Sequence, residues 1–190
     1  IYVPDRILTD PEMVERIVEL SKNVRVLQAA RRLYNEGLVD ITDVDPANVD
    51  GIVTELDALL EDMAQRNNGA GAVVVEMIRE TLMRFDLMHP EPNKTGRVYR
   101  IYDTEKRLVG VALNVIQETG TEGIGIAVLN PGDGLGTVLR AIRYHDLLMQ
   151  PDSRITSYAG DIDKWNRISL NSVRRAVSAL GLQLDERDVD

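Results

Sequence analysis

Val128-Leu129-Asn130-Pro131-Gly132-Asp133-Gly134-Leu135-Gly136-Thr137 joins the end of an apolar strand to the start of a helix through three alternate glycines. Glycine has no Cβ, so neighbouring backbone N–H groups can converge on an anion, and a helix N-terminus adds partial positive charge. Phosphate is the ligand this chemistry suits, although tight strand-to-helix turns use glycine too. No Gly-Lys-Ser/Thr follows, so the stretch is not a Walker loop. A dinucleotide fingerprint would belong to a first βαβ unit, whereas the strands before this loop read as a meander.

Working upstream, Gly123 to Leu129 reads as the strand that feeds the loop. Leu108 to Ile116 is almost continuously apolar, as a buried central strand is, and Arg97 to Tyr102 alternates as a half-buried one. His89-Pro90-Glu91-Pro92-Asn93 ends a helix from Ala72 to Met88, in which Val75, Ile78, Leu82 and Phe85 recur three or four apart. Asp45-Pro46 opens another helix, with Val49, Ile52, Leu56 and Leu59 on one face, and Leu38 to Ile41 reads as a short edge strand. Residues 1–37 read as a helical extension: Thr9-Asp10-Pro11-Glu12 is a start signal, Met13, Ile17 and Leu20 form an apolar stripe, and Val24 to Tyr34 runs on towards Gly37.

Downstream, a helix spans Thr137 to Met149, a short strand Ile155 to Ala159, and a last helix Ser169 to Leu180 closing at Gly181. Leu182 to Leu184 reads as the start of a further strand. The predicted class is α+β, with a central, mostly antiparallel sheet flanked by helices.

Composition excludes several classes. The chain has 190 residues, a net charge of −9 and no cysteine. Disulfides, thiolate metal sites and a cysteine nucleophile are therefore excluded. The acidic balance argues against nucleic acid as a partner, since that needs clustered cations. His89 and His145 are in no metal-ligand spacing. No apolar run nears the roughly 20 residues that cross a bilayer, and no basic-then-apolar leader opens the sequence. The expectation is a cytoplasmic protein that meets no membrane.

The loop and its flanking elements resemble the GNAT superfamily of N-acetyltransferases. Pro131-Gly132-Asp133-Gly134-Leu135-Gly136-Thr137 aligns without a gap on the family's Arg-Gly-x-Gly-x-Gly/Ala loop, and Asn166-Arg167-Ile168-Ser169 is similar to the Asn-x-x-Ser/Ala that opens its last helix. The likeness covers about residues 38–184 and implies a GNAT-like three-layer domain over 38–190 with the helical extension over 1–37. It implies acetyl-CoA as cosubstrate, no metal, and an amine acceptor, either a small molecule or a protein. It assigns Val128, Asn130, Gly132, Gly134, Leu135, Gly136 and Thr137 to the pyrophosphate loop, and Asn166 and Ser169 to the pantetheine arm. Ile155 to Tyr158 would be the strand that splays from its neighbour to admit that arm. Glu122, with Glu118 behind it, is the candidate base, and Tyr158 the candidate acid.

This sequence departs from the family pattern in four places. Pro131 stands where Arg or Gln is usual, and Asp133 adds a negative charge to a phosphate loop. The segment from Asn166 to Gly181 is about one helical turn longer than usual. Val177 occupies the place of the usual acid tyrosine. A second reading is therefore a non-catalytic GNAT-like binding or structural protein, whose helical stripe docks on a partner or a second copy. A third is a phosphate-binding domain of another fold. Every candidate also has an ordinary reading. Glu122 also reads as a solvated hairpin carboxylate, Tyr158 as a strand aromatic, Asn166 and Ser169 as caps, and Trp165 as an anchor for the last helix. Arg140 and Arg143, one to two turns after the loop, would reach a 3′-phosphate in the one reading and form an exposed basic face in the other, and His145 reads as a surface histidine.

Overall fold

The computed structural model describes residues 11–87, 94–160, 162 and 166–186. Thr9, Asp10, the 89–93 break and Trp165 lie outside them, as do the side chains of Met13, Val14, Ile17 and 85–87. Along the chain come α1 (Pro11–Asn35), β1 (Val39–Asp43), α2 (Val49–Gln65), α3 (Gly69–Leu87), β2 (Lys94–Tyr102), β3 (Leu108–Gln117), β4 (Gly120–Val128), α4 (Leu135–Leu148), β5 (Ser157–Ala159) and α5 (Arg167–Leu180). The order matches the sequence reading, and the class is α+β. β4 begins three residues earlier than read, and β5 two residues later. The two predicted helical runs before Gly37 are one helix, because nothing between Ser21 and Asn23 breaks it.

The five strands lie in the order β1-β2-β3-β4-β5. The first four are antiparallel, and β5 joins β4 in parallel. Side chains alternate across a strand, so β2, β3 and β4 each serve two cores. On one face Val98, Val111, Leu113 and Ala127 meet Ile52, Leu56, Leu59 and Met63 of α2 and Val75, Ile78 and Leu82 of α3. On the other, Tyr99, Ile101 and Ala112 meet Leu139, Ile142 and Leu147 of α4. Val26 of α1 and Ala176 of α5 then pack around Ala141 and Tyr144 of α4.

A buried tyrosine on the α4 side has a carboxylate partner. The Tyr99 hydroxyl donates to Asp146 at 2.7 Å, and Asp146 also accepts from Arg97 at 3.0 Å. Burial, then the Asp146 charge, pushes the Tyr99 pKa far above its ordinary value.

The strand read at Leu182 to Leu184 is not formed. Gly181 takes the left-handed conformation at φ 68°, and the Leu182 amide returns to the Val177 carbonyl at 3.0 Å. That is the C-cap geometry glycine favours, and it turns the chain back along α5. Arg174 then holds Glu186 through two hydrogen bonds of 2.6 and 2.7 Å.

Candidate functional site

Three helix N-termini converge on one cleft of about 500 Å³. Asn68, Ala70 and Gly71 line it from the start of α3, Gly134, Gly136 and Thr137 from α4, and Asn166, Ile168 and Ser169 from α5. Each N-terminus carries unpaired N–H groups and part of the helix dipole, so their fields add in the same space. The outer edge of β4, through Ile126, Ala127 and Val128, forms the wall.

The loop between β4 and α4 needs its glycines. Gly132 and Gly134 hold φ of 97° and 86°, where a Cβ is strained. Asn68 fixes the loop from below: its side chain caps α3 by accepting from the Gly71 amide at 3.0 Å and donates to the Val128 carbonyl at 3.0 Å. Arg66 holds the Asn130 side chain at 3.0 Å. Asn166 caps α5, accepting from the Ser169 amide at 3.0 Å.

Two of the amides assigned to phosphate are already used. The Leu135 amide donates to the Asp133 carboxylate at 2.8 Å, and the Thr137 amide to the Gly134 carbonyl at 3.1 Å. Those of Gly132, Gly134 and Gly136 have no partner among the described residues. Asp133 and Leu135 do not line this cleft. Both face a second one of about 640 Å³ under α1, so the Asp133 charge lies on the far side of the loop.

Arg140 and Arg143 are not an exposed face, as read from sequence; they are 7% and 2% exposed. α5 and β5 cover the side of α4 that carries them, a burial the α4 sequence alone does not encode. Arg140 lines the cleft and donates from Nε to Ser172 Oγ at 3.2 Å and from Nη2 to Ser169 Oγ. Thr137 and Ser172 hydroxyls meet at 3.0 Å beside it. No carboxylate among the described residues pairs with Arg140. Burial, followed by repulsion from Arg143, lowers its pKa from the ordinary value. A guanidinium nonetheless stays charged at neutral pH.

Arg143 serves the neighbouring fork in the sheet. β5 pairs with β4 only through Gly120–Ser157, Thr121–Tyr158 and Glu122–Ala159. Beyond Glu122 the β4 edge leaves β5, and Arg143 donates to the Gly125 carbonyl at 3.3 Å and to the Tyr158 hydroxyl. Its guanidinium lies 5.2 Å from the Tyr158 ring centroid, and Tyr144 meets the same ring edge-on at 4.8 Å. Burial is the main cause raising the Tyr158 pKa, so the phenol keeps its proton at neutral pH. A bulge in β4, where Leu113 faces Gly125 but Asn114 faces Gly123, re-aims the strand beside the fork.

The structure gathers Val128, Gly132, Gly134, Gly136, Thr137, Asn166 and Ser169 into the cleft. Asn130 is exposed and held by Arg66 outside the cleft lining, and Leu135 lines the second cleft instead. Tyr158 stands at the fork, not in the cleft. Glu122 is exposed and pairs with Ala159, so alternation puts its side chain on the opposite face of the sheet from Tyr158. Glu118 is exposed in the turn between β3 and β4, and His145 is exposed on α4. Sequence reasoning missed Asn68, Ser172 and the burial of Arg140. Asn114, buried with an unpartnered side-chain oxygen, was also missed. For Asn114 a signal existed: it is the polar interruption of an otherwise apolar strand. Among the described residues no cluster of His, Asp and Glu could hold a metal, and no helix is long and apolar enough to cross a membrane.

No protein-family model matches the chain, and no curated protein does. Among solved structures it is similar to a possible acetyltransferase from Clostridium difficile 630, at 13% identity and a TM-score of 0.44, over 80% of this chain and 96% of that one. It is also similar to a mutant of the BH1408 protein from Bacillus halodurans, at 12% identity and a TM-score of 0.43, over 80% and 97%. Likenesses this distant assign no activity to the chain.

Proposed function

We propose that the chain binds acetyl-CoA in the three-helix cleft and transfers the acetyl group to an amine. One observation carries this reading: three helix N-termini face the same space as a buried arginine that has no carboxylate partner among the described residues. A buried charge costs several kcal/mol unless something pairs with it. A diphosphate fits that need, and the glycine loop leaves room for it. In this reading the amides of Gly132, Gly134 and Gly136 and the Arg140 guanidinium hold the pyrophosphate. Arg140 then supplies the charge that Pro131 removes from the loop.

Beyond Glu122 the β4 edge pairs with no strand among the described residues. Apart from the Gly125 and Val128 carbonyls, which Arg143 and Asn68 hold, it offers backbone groups to the amide-containing pantetheine arm. Acetyl-CoA brings an activated thioester, so the protein's tasks are to position it, take a proton from the amine and give one to the sulfur. Tyr158, which keeps its proton, is placed at the fork to give it. Glu122 stands at the same fork on the other face, where it serves an amine arriving from the α2–α3 side.

A binding protein without transfer is the second reading. It is favoured by the Tyr158 hydroxyl being engaged by Arg143, and by Glu122 and Tyr158 sharing no face. Thiol release from acetyl-CoA separates the two, and a chain without cysteine adds no background. Transfer predicts thiol release that depends on an added amine and falls about 100-fold in Tyr158→Phe, in the range of a lost general acid. Binding with no amine-dependent release across a panel of primary amines and lysine peptides would leave the second reading standing.

A further inference from the structure

We infer that Arg143 is a positioning residue for proton transfer at the fork. It holds Tyr158 against β4 and balances the negative charge that the phenol acquires when its proton passes to the leaving sulfur. This role rests on the acetyl-transfer reading above and deepens it.

The Tyr158 ring lies in a cradle that two glycines leave open. A Cβ at Gly123 would overlap its hydroxyl, and one at Gly160 would lie 3.2 Å from its Cε1. The hydroxyl is therefore over the β4 backbone one residue past Glu122, the last β4 position that pairs with β5. Arg143 spans the gap between the parting strands, donating from Nη1 to the Gly125 carbonyl at 3.3 Å and from Nη2 to the Tyr158 hydroxyl. Tyr158 is half-buried and Arg143 is 2% exposed, so a ligand at the fork meets the phenol first. A bond accepted from Arg143 uses a lone pair of the phenol oxygen and leaves its hydrogen to be given away.

Stability alone does not account for a cation at this position. Arg143 pairs with no carboxylate among the described residues, its Nε has no hydrogen-bond partner, and it repels Arg140 on the same helix. An apolar side chain in place of such a buried charge is often neutral or stabilising. The charge gains a purpose once a neighbour turns negative. Among the described residues Tyr158 is the titratable group to which Arg143 hydrogen-bonds.

In the transfer step the amine nitrogen bonds to the acyl carbon, and the C–S bond breaks with its electron pair on sulfur. Sulfur takes the Tyr158 proton, and the O–H pair stays on the phenol oxygen facing Arg143. The proton that the amine gives up then restores the phenol, so no further reactant is needed. Burial keeps the phenol protonated at rest. Against burial, Arg143, a hydrogen bond from the Asn114 side chain and Arg140 favour the phenolate, while Tyr144 opposes it. Val26 of α1 and Ala176 and Val177 of α5, packed in the same cluster, add no charge. Glu122 points to the opposite face of the sheet.

The test has two readouts. In NMR of ligand-free protein carrying isotope-labelled tyrosine, the Tyr158 signal is identified by its absence in Tyr158→Phe. It should titrate at higher pH in Arg143→Met than in wild type, because the cation that favours the phenolate is gone, and Arg143→Lys should stay near wild type. In amine-dependent thiol release, Arg143→Met should be slower by about 10- to 100-fold at unchanged acetyl-CoA affinity, the range of a hydrogen bond to a charged group. Arg143→Lys should recover part of that rate, and Arg143→Met should cost nothing further in a Tyr158→Phe background. Arg143→Gln, uncharged but still a donor, carries the same expectations should the methionine variant unfold. An unmoved Tyr158 titration, or a loss that persists in the Tyr158→Phe background, would overturn the role of Arg143 and leave transfer standing. A wild type that binds acetyl-CoA and releases no thiol with any amine would overturn transfer, and this role with it.

Discussion

Arg140→Met is expected to weaken acetyl-CoA binding by about 10- to 100-fold while leaving the ligand-free fold as stable as before, or more so. A hydrogen bond to a charged group contributes about 1.5–3 kcal/mol, and each 1.4 kcal/mol is tenfold in affinity. The stability half follows from what surrounds the residue. Arg140 is 7% exposed and has serine hydroxyls for partners, with no carboxylate among the described residues. Replacing an uncompensated buried charge by an unbranched apolar side chain removes a desolvation cost and retains most of the volume. Arg140→Lys keeps the charge but not the planar fork that reaches two partners, so its affinity should fall in between. Calorimetric titration and thermal unfolding of the three proteins check both halves. A variant that loses stability and keeps its affinity would make Arg140 a packing residue.

Gly123→Ala should cost about 2–4 kcal/mol of stability, in the range of overpacking a core and breaking a buried polar contact. A Cβ at position 123 would overlap the Tyr158 hydroxyl and lie 3.0 Å from its Cζ and 3.4 Å from Arg143 Nη2. A phenol tip can usually swing aside. Here the ring is wedged between Arg143 and Tyr144, and leaving would strip Arg143 of one of its two hydrogen-bond partners. Urea unfolding measures the loss, and Tyr158→Phe serves as a control that removes the hydroxyl and keeps the ring. A stability equal to wild type in Gly123→Ala would mean that Tyr158 is not held at the fork.

The order of elements was legible because each transition has a local cause. Alternating or continuous apolar runs mark β2 and β3, the alternate glycines mark the turn into α4, and Gly181 marks the end of α5. The false strand at Leu182–Leu184 shows the limit of that logic. Two leucines one residue apart imitate a strand, but no neighbouring edge pairs with them and the cap at Gly181 directs the chain elsewhere. The cleft was legible in half. Its glycines announce themselves, yet Arg140 and Arg143, three apart on α4, look like a solvated face until α5 and β5 close over them. The side of the loop on which Asp133 falls was likewise unreadable, since it follows from the Gly132 and Gly134 dihedrals and the position of α1. Asn68 gave only a loop signal, and its clamp on Val128 spans 60 residues.

Calorimetric titration of the wild-type protein with acetyl-CoA tests the central claim most directly. The convergence of three helix N-termini on Arg140 predicts saturable, micromolar binding that weakens with salt and is abolished in Gly134→Glu, which places a carboxylate in the cleft. No heat of binding up to millimolar acetyl-CoA would contradict it.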